Sequence, residues 1–243
     1  MKRDERAGAE YAEDLQLGGL RILRSDNLPG YTTDAVLLAD FAAARPARRV
    51  CDLGTGTGIL PLLLIGRQRD MHVTGVELDE RLAAMAARSV HLNGLEGSVR
   101  ILQGDLREIQ TMLPRGSFDL VVCNPPYHTG PGRPDTHQAQ CTWAEVAQAA
   151  AWLLRPRGRL CVCCPAAGVL DMADALRAAG IMPKRVRLAA SRAGKAPYLC
   201  LMAGTLGARP GLRVEPQLTL HQEDGSFTPE ALRIYHMEET QQA

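Results

Sequence analysis

Apolar runs of strand length alternate with helical patterns through the middle of the chain. RRVCDL (48–53) leads into a helix expected from about Gly58 to Arg67, and MHVTGVEL (71–78) into a long Ala-rich helix from Asp79 to Asn93. VRILQ (99–103) and SFDLVVC (117–123) follow, then a helix near 142–154, GRLCVCC (158–164), a helix near 169–179, and the runs KRVRLAA (184–190) and PYLCLMA (197–203). Strands that are apolar at successive positions are buried on both faces, and intervening helices supply the crossovers of a parallel sheet. The order predicts an α/β fold. It is a doubly wound, mostly parallel, seven-stranded Rossmann-like sheet whose last two strands form an antiparallel edge.

The pattern changes at both ends. After Gly211, RVEPQLTLHQEDGSF shows short polar–apolar alternation with a DG turn, and TPEALRIYHMEE (228–239) opens with Thr at an N-cap and Pro at the first helical position. This reads as a small C-terminal elaboration (about 211–243) of one domain spanning 15–243. The opening MKRDERAGAEYAEDL mixes charges and has no apolar segment, so residues 1–14 are expected to form a flexible tail and not a signal peptide. ILPLLLI (59–65) is too short to cross a membrane, so a cytoplasmic protein with no membrane partner is expected.

Composition is that of an ordinary globular protein, 46% hydrophobic and 23% charged. The net charge of +1 does not announce a nucleic-acid partner, but its distribution does more. Arg177–Arg213 carries eight Lys/Arg and no acid, and RPRGR (155–159) adds three more, so the rest of the chain is net acidic by about ten charges. Lys184, Arg185, Arg187, Arg192 and Lys195 are accordingly expected to contact a polyanion, the alternative being solvated strand ends. The seven cysteines fall mostly in apolar runs and read as buried thiols in a reducing compartment. Cys161 and Cys164 form a C-x-x-C, but it has no second pair with which to build a metal site, and none is expected.

VCDLGTGTGIL (50–60) is a strand, a glycine turn and a helix start. Gly54, Gly56 and Gly58 let the backbone approach a ligand closely. Dinucleotide sites space the third glycine differently and place a pyrophosphate there, which Asp52 would repel. An acid at this point suits the ammonium of an amino-acid moiety instead, as S-adenosylmethionine carries. The next strand ends at Glu77, placed to accept from ribose hydroxyls. The third ends at QGDL, with Asp105, and Leu106 beside it, suited to the adenine.

The fourth strand ends in CNPPYHTG (123–130), at the same edge. Methylating an exocyclic amine or amide nitrogen requires freeing a delocalised lone pair. Acceptors on its two N–H bonds, from the Asn124 side chain and the Pro125 carbonyl, draw the nitrogen toward tetrahedral geometry. Pro125 and Pro126 stiffen the turn, and Tyr127 stacks on the planar group. The mechanism needs no strong base, so His128 reads as a loop residue.

D-x-G-x-G-x-G followed by N-P-P-Y resembles the class I S-adenosylmethionine-dependent amino/amide N-methyltransferases. GYTTDAVLLADF (30–41), GVELDERLAAMAARSVHLNGL (75–95), IMPKRVRLAA, APYLCLMAGTLGARPGL and DGSFTPEALRIYH are together similar to the bacterial tRNA1(Val) adenine-N6 methyltransferase family, over roughly residues 15–236. The resemblance implies cofactor contacts from Asp52, Gly54, Gly56, Glu77 and Asp105, with Thr33 and Asp34 closing over the methionine end. It implies that Asn124, Pro125, Pro126 and Tyr127 hold an adenine, the one 3′ of the valine tRNA anticodon, and that the 155–213 region binds backbone phosphates. Gln138 and Gln140, near Arg133 and His137, stand where the family carries charges. The other readings are an rRNA guanine-N2 methyltransferase, a protein-glutamine N5 methyltransferase and a non-catalytic RNA-binding protein.

Overall fold

A computed structural model describes residues 10–125 and 141–237. The chain opens with an antiparallel hairpin, β1 (Glu10–Asp14) and β2 (Arg21–Ser25), followed by α1 (Thr33–Ala43). The central units are β3 (Arg49–Leu53), α2 (Ile59–Arg67), β4 (His72–Glu77), α3 (Glu80–Leu92), β5 (Val99–Gln103), α4 (Ile109–Met112) and β6 (Phe118–Cys123). Then come α5 (Trp143–Leu153), β7 (Leu154–Pro165), α6 (Val169–Ala178), β8 (Ile181–Arg192), β9 (Leu199–Leu206), β10 (Arg213–Val214), β11 (Leu218–His221) and α7 (Pro229–Tyr235).

The main sheet runs β10-β8-β9-β7-β6-β3-β4-β5, with β11 also paired to β8. Only β9 runs against its neighbours, lying antiparallel to both β7 and β8. The mostly parallel sheet is as expected. The two short strands beyond β8 make it nine-stranded, and they come from the polar–apolar alternation after Gly211. Helices cover both faces, and alternate strand residues feed alternate layers. In β7, Cys161 and Cys163 join the layer under α1 and α2, while Leu160, Val162 and Cys164 join the layer under α5 and α6. The C-x-x-C is therefore split across the sheet, because residues three apart on a strand face opposite sides.

The chain leaves β3 toward β4 and β5, then returns to the other side of β3 as β6. That reversal is the switch point at which open α/β sheets form a crevice beyond their carboxyl ends.

Two expectations are corrected. The flexible tail gives way at Glu10, where β1 begins. Glu13 accepts from Arg24 (2.8 Å) and from the Tyr31 hydroxyl (2.6 Å), and Leu23 N–H donates to Ser89 on α3 (3.0 Å), so the hairpin is tied to the domain. The second concerns the basic stretch. Arg185 faces Glu215 at 2.8 Å with both side chains only 14–15% exposed, and its guanidinium lies 4.3 Å above the Phe41 ring. Arg187 reaches Glu230 at 2.8 Å and the Pro216 carbonyl at 3.0 Å. These two arginines clasp the C-terminal elaboration to β8, so their charges are met within the fold and are not the expected free cationic face. Arg185→Glu is expected to lower stability by about 3 kcal/mol, since it leaves a nearly buried carboxylate facing a second one and removes the ring contact. A melting temperature unchanged from wild type would contradict the clasp.

α7 starts as its sequence predicts, with Thr228 Oγ1 accepting from Ala231 N–H and Pro229 first in the helix, but it ends at Tyr235 with His236 left-handed. No described helix is long and apolar enough to cross a membrane.

Candidate functional site

A cavity of about 550 Å³ opens at the switch point, at the carboxyl ends of β3, β4, β5 and β6. Gly54, Thr55, Gly56 and Thr57 from the glycine turn line it, with Glu77, Asp79, Asp105, Leu106, Asn124, Pro125, Tyr31 and Thr32 from the loop before α1, and Asp34 from the first turn of α1.

The three glycines have different jobs. Gly54 (φ +73°) and Gly56 (φ +57°) are left-handed, and a Cβ on either would meet nothing within 4 Å, so the turn presents bare backbone to the cavity. Gly58 (φ +88°) faces the other way. A Cβ there would lie 3.2 Å from the Ala86 Cβ, so this glycine serves the approach of α2 to α3 and is not among the lining residues. That corrects its expected place among the cofactor contacts.

The turn is fastened to β4. Gly54 and Thr55 donate to the Val76 carbonyl at 2.9 and 3.0 Å, and Gly56 donates to Glu77 Oε2 at 2.8 Å. Glu77 Oε1 accepts from Asp79 N–H at 2.9 Å. Each Glu77 oxygen keeps one lone-pair direction for a ligand hydroxyl.

Asp52 is wholly buried beneath the turn and is not itself among the lining residues; the Thr55 hydroxyl lies beside its carboxylate without completing a well-formed hydrogen bond, and the carboxylate has no cationic partner. Burial lifts the Asp52 pKa to about 7, with the Thr55 hydroxyl acting to lower it and the Glu77 charge to raise it. A buried, unpaired acid is a costly arrangement that a ligand cation relieves. Bare glycine backbone, a buried carboxylate without a cation and the Glu77 carboxylate at the end of β4 together fit S-adenosylmethionine.

Asp105 lies at the cavity rim as expected, but its two oxygens are held by the Arg107 backbone N–H (2.9 Å) and guanidinium (2.8–2.9 Å to Nε). The arginine keeps the carboxyl below its ordinary range, so Asp105 stays ionised and oriented. Asp34 lines the cavity. Thr33 does not, and its side chain instead lies beside the Tyr235 hydroxyl of α7, which corrects its expected role at the methionine end.

Asn124 closes β6, one residue beyond the β3–β6 ladder, and Pro125 follows it into the cavity wall. The Cys163 thiol on neighbouring β7 donates to Asn124 Oδ1 at 3.1 Å. This contact was not read from the sequence, where Cys163 looked like one more buried thiol. It occupies one lone pair of Oδ1 and orients the amide, and Oδ1 has capacity for a second donor. Cys163→Ala is expected to lower kcat about fivefold, the worth of one hydrogen bond, with cofactor affinity unchanged, and Cys163→Ser is expected to recover it. Equal losses in both variants would assign the effect to packing.

Pro126 and Tyr127 fall outside the described residues, as do His128, Arg133, His137, Gln138 and Gln140. Of the expected RNA contacts, Lys184 donates to the Arg209 carbonyl at 3.3 Å, while Arg192 and Lys195 are exposed on the turn between β8 and β9, at the same sheet edge as the cavity. No group of described His, Cys, Asp or Glu residues could hold a metal.

The sequence profile of the methyltransferase small domain family matches residues 32–179. A curated relative from Tolumonas auensis, a tRNA1(Val) (adenine(37)-N6)-methyltransferase, is 30% identical over 211 residues, covering 83% of this chain and 86% of its own. A Bacteroides fragilis protein of the same name is 27% identical, covering 71% and 76%. The crystal structure of a predicted O-methyltransferase from Agrobacterium tumefaciens superposes with a TM-score of 0.70 at 22% identity, over 84% of this chain and 95% of that one, a likeness of fold.

Proposed function

Because this chain belongs to the methyltransferase small domain family, we propose that it methylates N6 of an adenine in tRNA, at the position following the anticodon of a valine tRNA. The observation that carries the amino-group chemistry is Asn124, set at the sheet's switch point beside the glycine turn, with its side-chain oxygen oriented from behind by Cys163. The tRNA and the valine isoacceptor come from the named relatives, which align over most of the chain.

Bound over the glycine turn, S-adenosylmethionine supplies an electrophilic methyl group on a sulfonium. The chain's own residues do the rest. Gly54 and Gly56 leave room for close approach, Glu77 accepts from ribose hydroxyls, and Asp52 offers its charge to the ammonium end. The ionised Asp105, with Leu106, borders the region nearest β5. Asn124 Oδ1 accepts one N–H of the target amine, and the Pro125 carbonyl accepts the other. The nitrogen lone pair is thereby drawn out of conjugation and directed at the methyl carbon. After transfer the amine is cationic and acidic, and it sheds its proton to water without a dedicated base. A loop adenine is already partly unstacked, which lowers the cost of placing it in the crevice.

The test is mass spectrometry of nucleosides from tRNA and rRNA incubated with the protein and labelled S-adenosylmethionine. Label in N6-methyladenosine from tRNA, confined to the anticodon loop of valine tRNA, is expected. Label in N2-methylguanosine, or in no nucleoside, would sink the proposal.

A further inference from the structure

The charged residues lining the cavity are mostly acids, Asp34, Glu77, Asp79 and Asp105, with Asp52 beneath it; its lining cation, Arg107, is paired with Asp105, and Arg192 and Lys195 lie exposed farther along the same sheet edge. An RNA loop inserted there must carry its phosphates toward those charges, so attraction from outside the cavity has to offset them. The basic stretch expected to supply it is partly consumed, because Arg185 and Arg187 are paired within the fold.

The opposite edge of the sheet has the reverse charge. The amino ends of β7, β6, β3, β4 and β5, consecutive in the sheet, frame an open concavity of about 850 Å³ lined by Arg48, Arg49, Arg69 and Arg155. Arg157 and Arg100 stand exposed on β7 and β5 near the same end. The acids in the lining are Asp70 and Asp119. Asp119 is already engaged, accepting the backbone N–H groups of Arg48 and Arg49 at 2.9 Å each and facing Arg155 at 2.8 Å. These bonds anchor the main chain beneath Arg48 and Arg49, while their side chains are exposed. Arginine is the side chain best matched to phosphate, through its planar pair of donors and weak hydration. The net charge of +1 thus conceals an acidic catalytic edge and a cationic edge one strand length away, about 17 Å for five residues.

We propose that this amino-edge concavity binds backbone phosphates of the substrate RNA, in the duplex stem flanking the target loop, with that stem lying along the flank of the domain from one sheet edge to the other. The inference rests on the RNA reading above. It makes the concavity a positioning surface, since phosphate contacts set register while the cavity selects the base.

The experiment compares the wild-type protein with the triple variant Arg48→Gln, Arg49→Gln, Arg69→Gln, which keeps both backbone bonds to Asp119. Two probes are used: an RNA hairpin carrying the target loop on its stem, and the loop alone as a single-stranded heptamer, which has no duplex to lie along the flank. Affinities are measured across a salt series, with S-adenosylmethionine affinity as the control for folding. The variant is expected to bind the hairpin about tenfold or more weakly at 150 mM salt, with a log–log salt slope shallower by about two to three. Its binding of the heptamer and of S-adenosylmethionine is expected to be unchanged. A hairpin slope equal to wild type, or the same loss for the heptamer, overturns the proposal. So does tighter binding of polyglutamate than of the hairpin by the wild-type protein, lost in the variant, which assigns the surface to an acidic protein. If the arginines bind the hairpin but no adenine is methylated, the adenine reading fails and the surface stands; if methylation proceeds and the variant binds as wild type, only the surface fails.

Discussion

Asp52→Asn is expected to weaken S-adenosylmethionine binding about a hundredfold while making the cofactor-free protein more stable above pH 7. The wild-type carboxyl is wholly buried, has no cationic partner, and titrates near 7 instead of at its ordinary 3.8. In an acid raised in this way, the native state holds a proton that the unfolded state has released. Stability from this group is therefore fully present below pH 3.8 and is lost as pH rises to about 7, a cost of about 4 kcal/mol on a linkage of 1.36 kcal/mol per unit. Asparagine removes that cost, so the variant should melt higher at pH 8 with no cofactor present. It also removes the charge proposed to meet the ligand ammonium, in a poorly screened site. Below pH 7 wild-type binding must expel the Asp52 proton, so affinity should fall by up to tenfold per pH unit, with proton release visible by calorimetry in buffers of different ionisation enthalpy. The variant should lose this pH dependence. Wild-type affinity that stays flat between pH 5.5 and 8 would show that Asp52 does not serve the ammonium.

The parts of the site that were legible in the sequence are those set by local rules. A strand buried on both faces must be followed by something at its carboxyl end, and D-L-G-T-G-T-G, G-V-E-L, Q-G-D-L and C-N-P-P each advertise what that is. Their order alone places Asp52, Glu77, Asp105 and Asn124 along one edge, and the structure puts them there. What local pattern could not supply was any pairing across the fold. The Arg177–Arg213 run looked like a free cationic face because its neutralising acids lie far along the chain, Glu215 for Arg185 and Glu230 for Arg187. The cationic edge that does form is assembled from Arg48, Arg69 and Arg155, separated by tens of residues and joined only by the strand order. Gly58 was indistinguishable from its two neighbours until the direction of its missing Cβ was known. The β1 strand was hidden because EYAED carries three acids in five residues around Tyr11 and Ala12, without an alternating apolar pattern. It is held by ion pairs and by the flank of α3, and no apolar face marks it.

Asn124→Ala is expected to reduce kcat by about a thousandfold while leaving S-adenosylmethionine affinity within a few fold of wild type. The side chain lies in the cavity wall, and the glycine turn, Glu77 and Asp52 that fit the cofactor do not depend on it. Its contribution is one oriented acceptor dipole on an N–H that becomes more acidic as the new bond forms. Removing a preorganised polar group of that kind costs about 10²–10³ in rate. The loss should sit at the upper end, because without the side chain only the Pro125 carbonyl remains to accept. Asn124→Asp keeps an acceptor in place and should recover most of the rate, whereas Asn124→Leu, similar in size but without an oxygen, should behave as alanine does. Single-turnover methylation with saturating cofactor separates this from binding, since a defect in the acceptor step appears in the chemical rate and not in the cofactor dissociation constant. Equal rates for Asn124→Leu and wild type would remove the acceptor from the mechanism, and with it the reason for ending β6 in asparagine followed by proline.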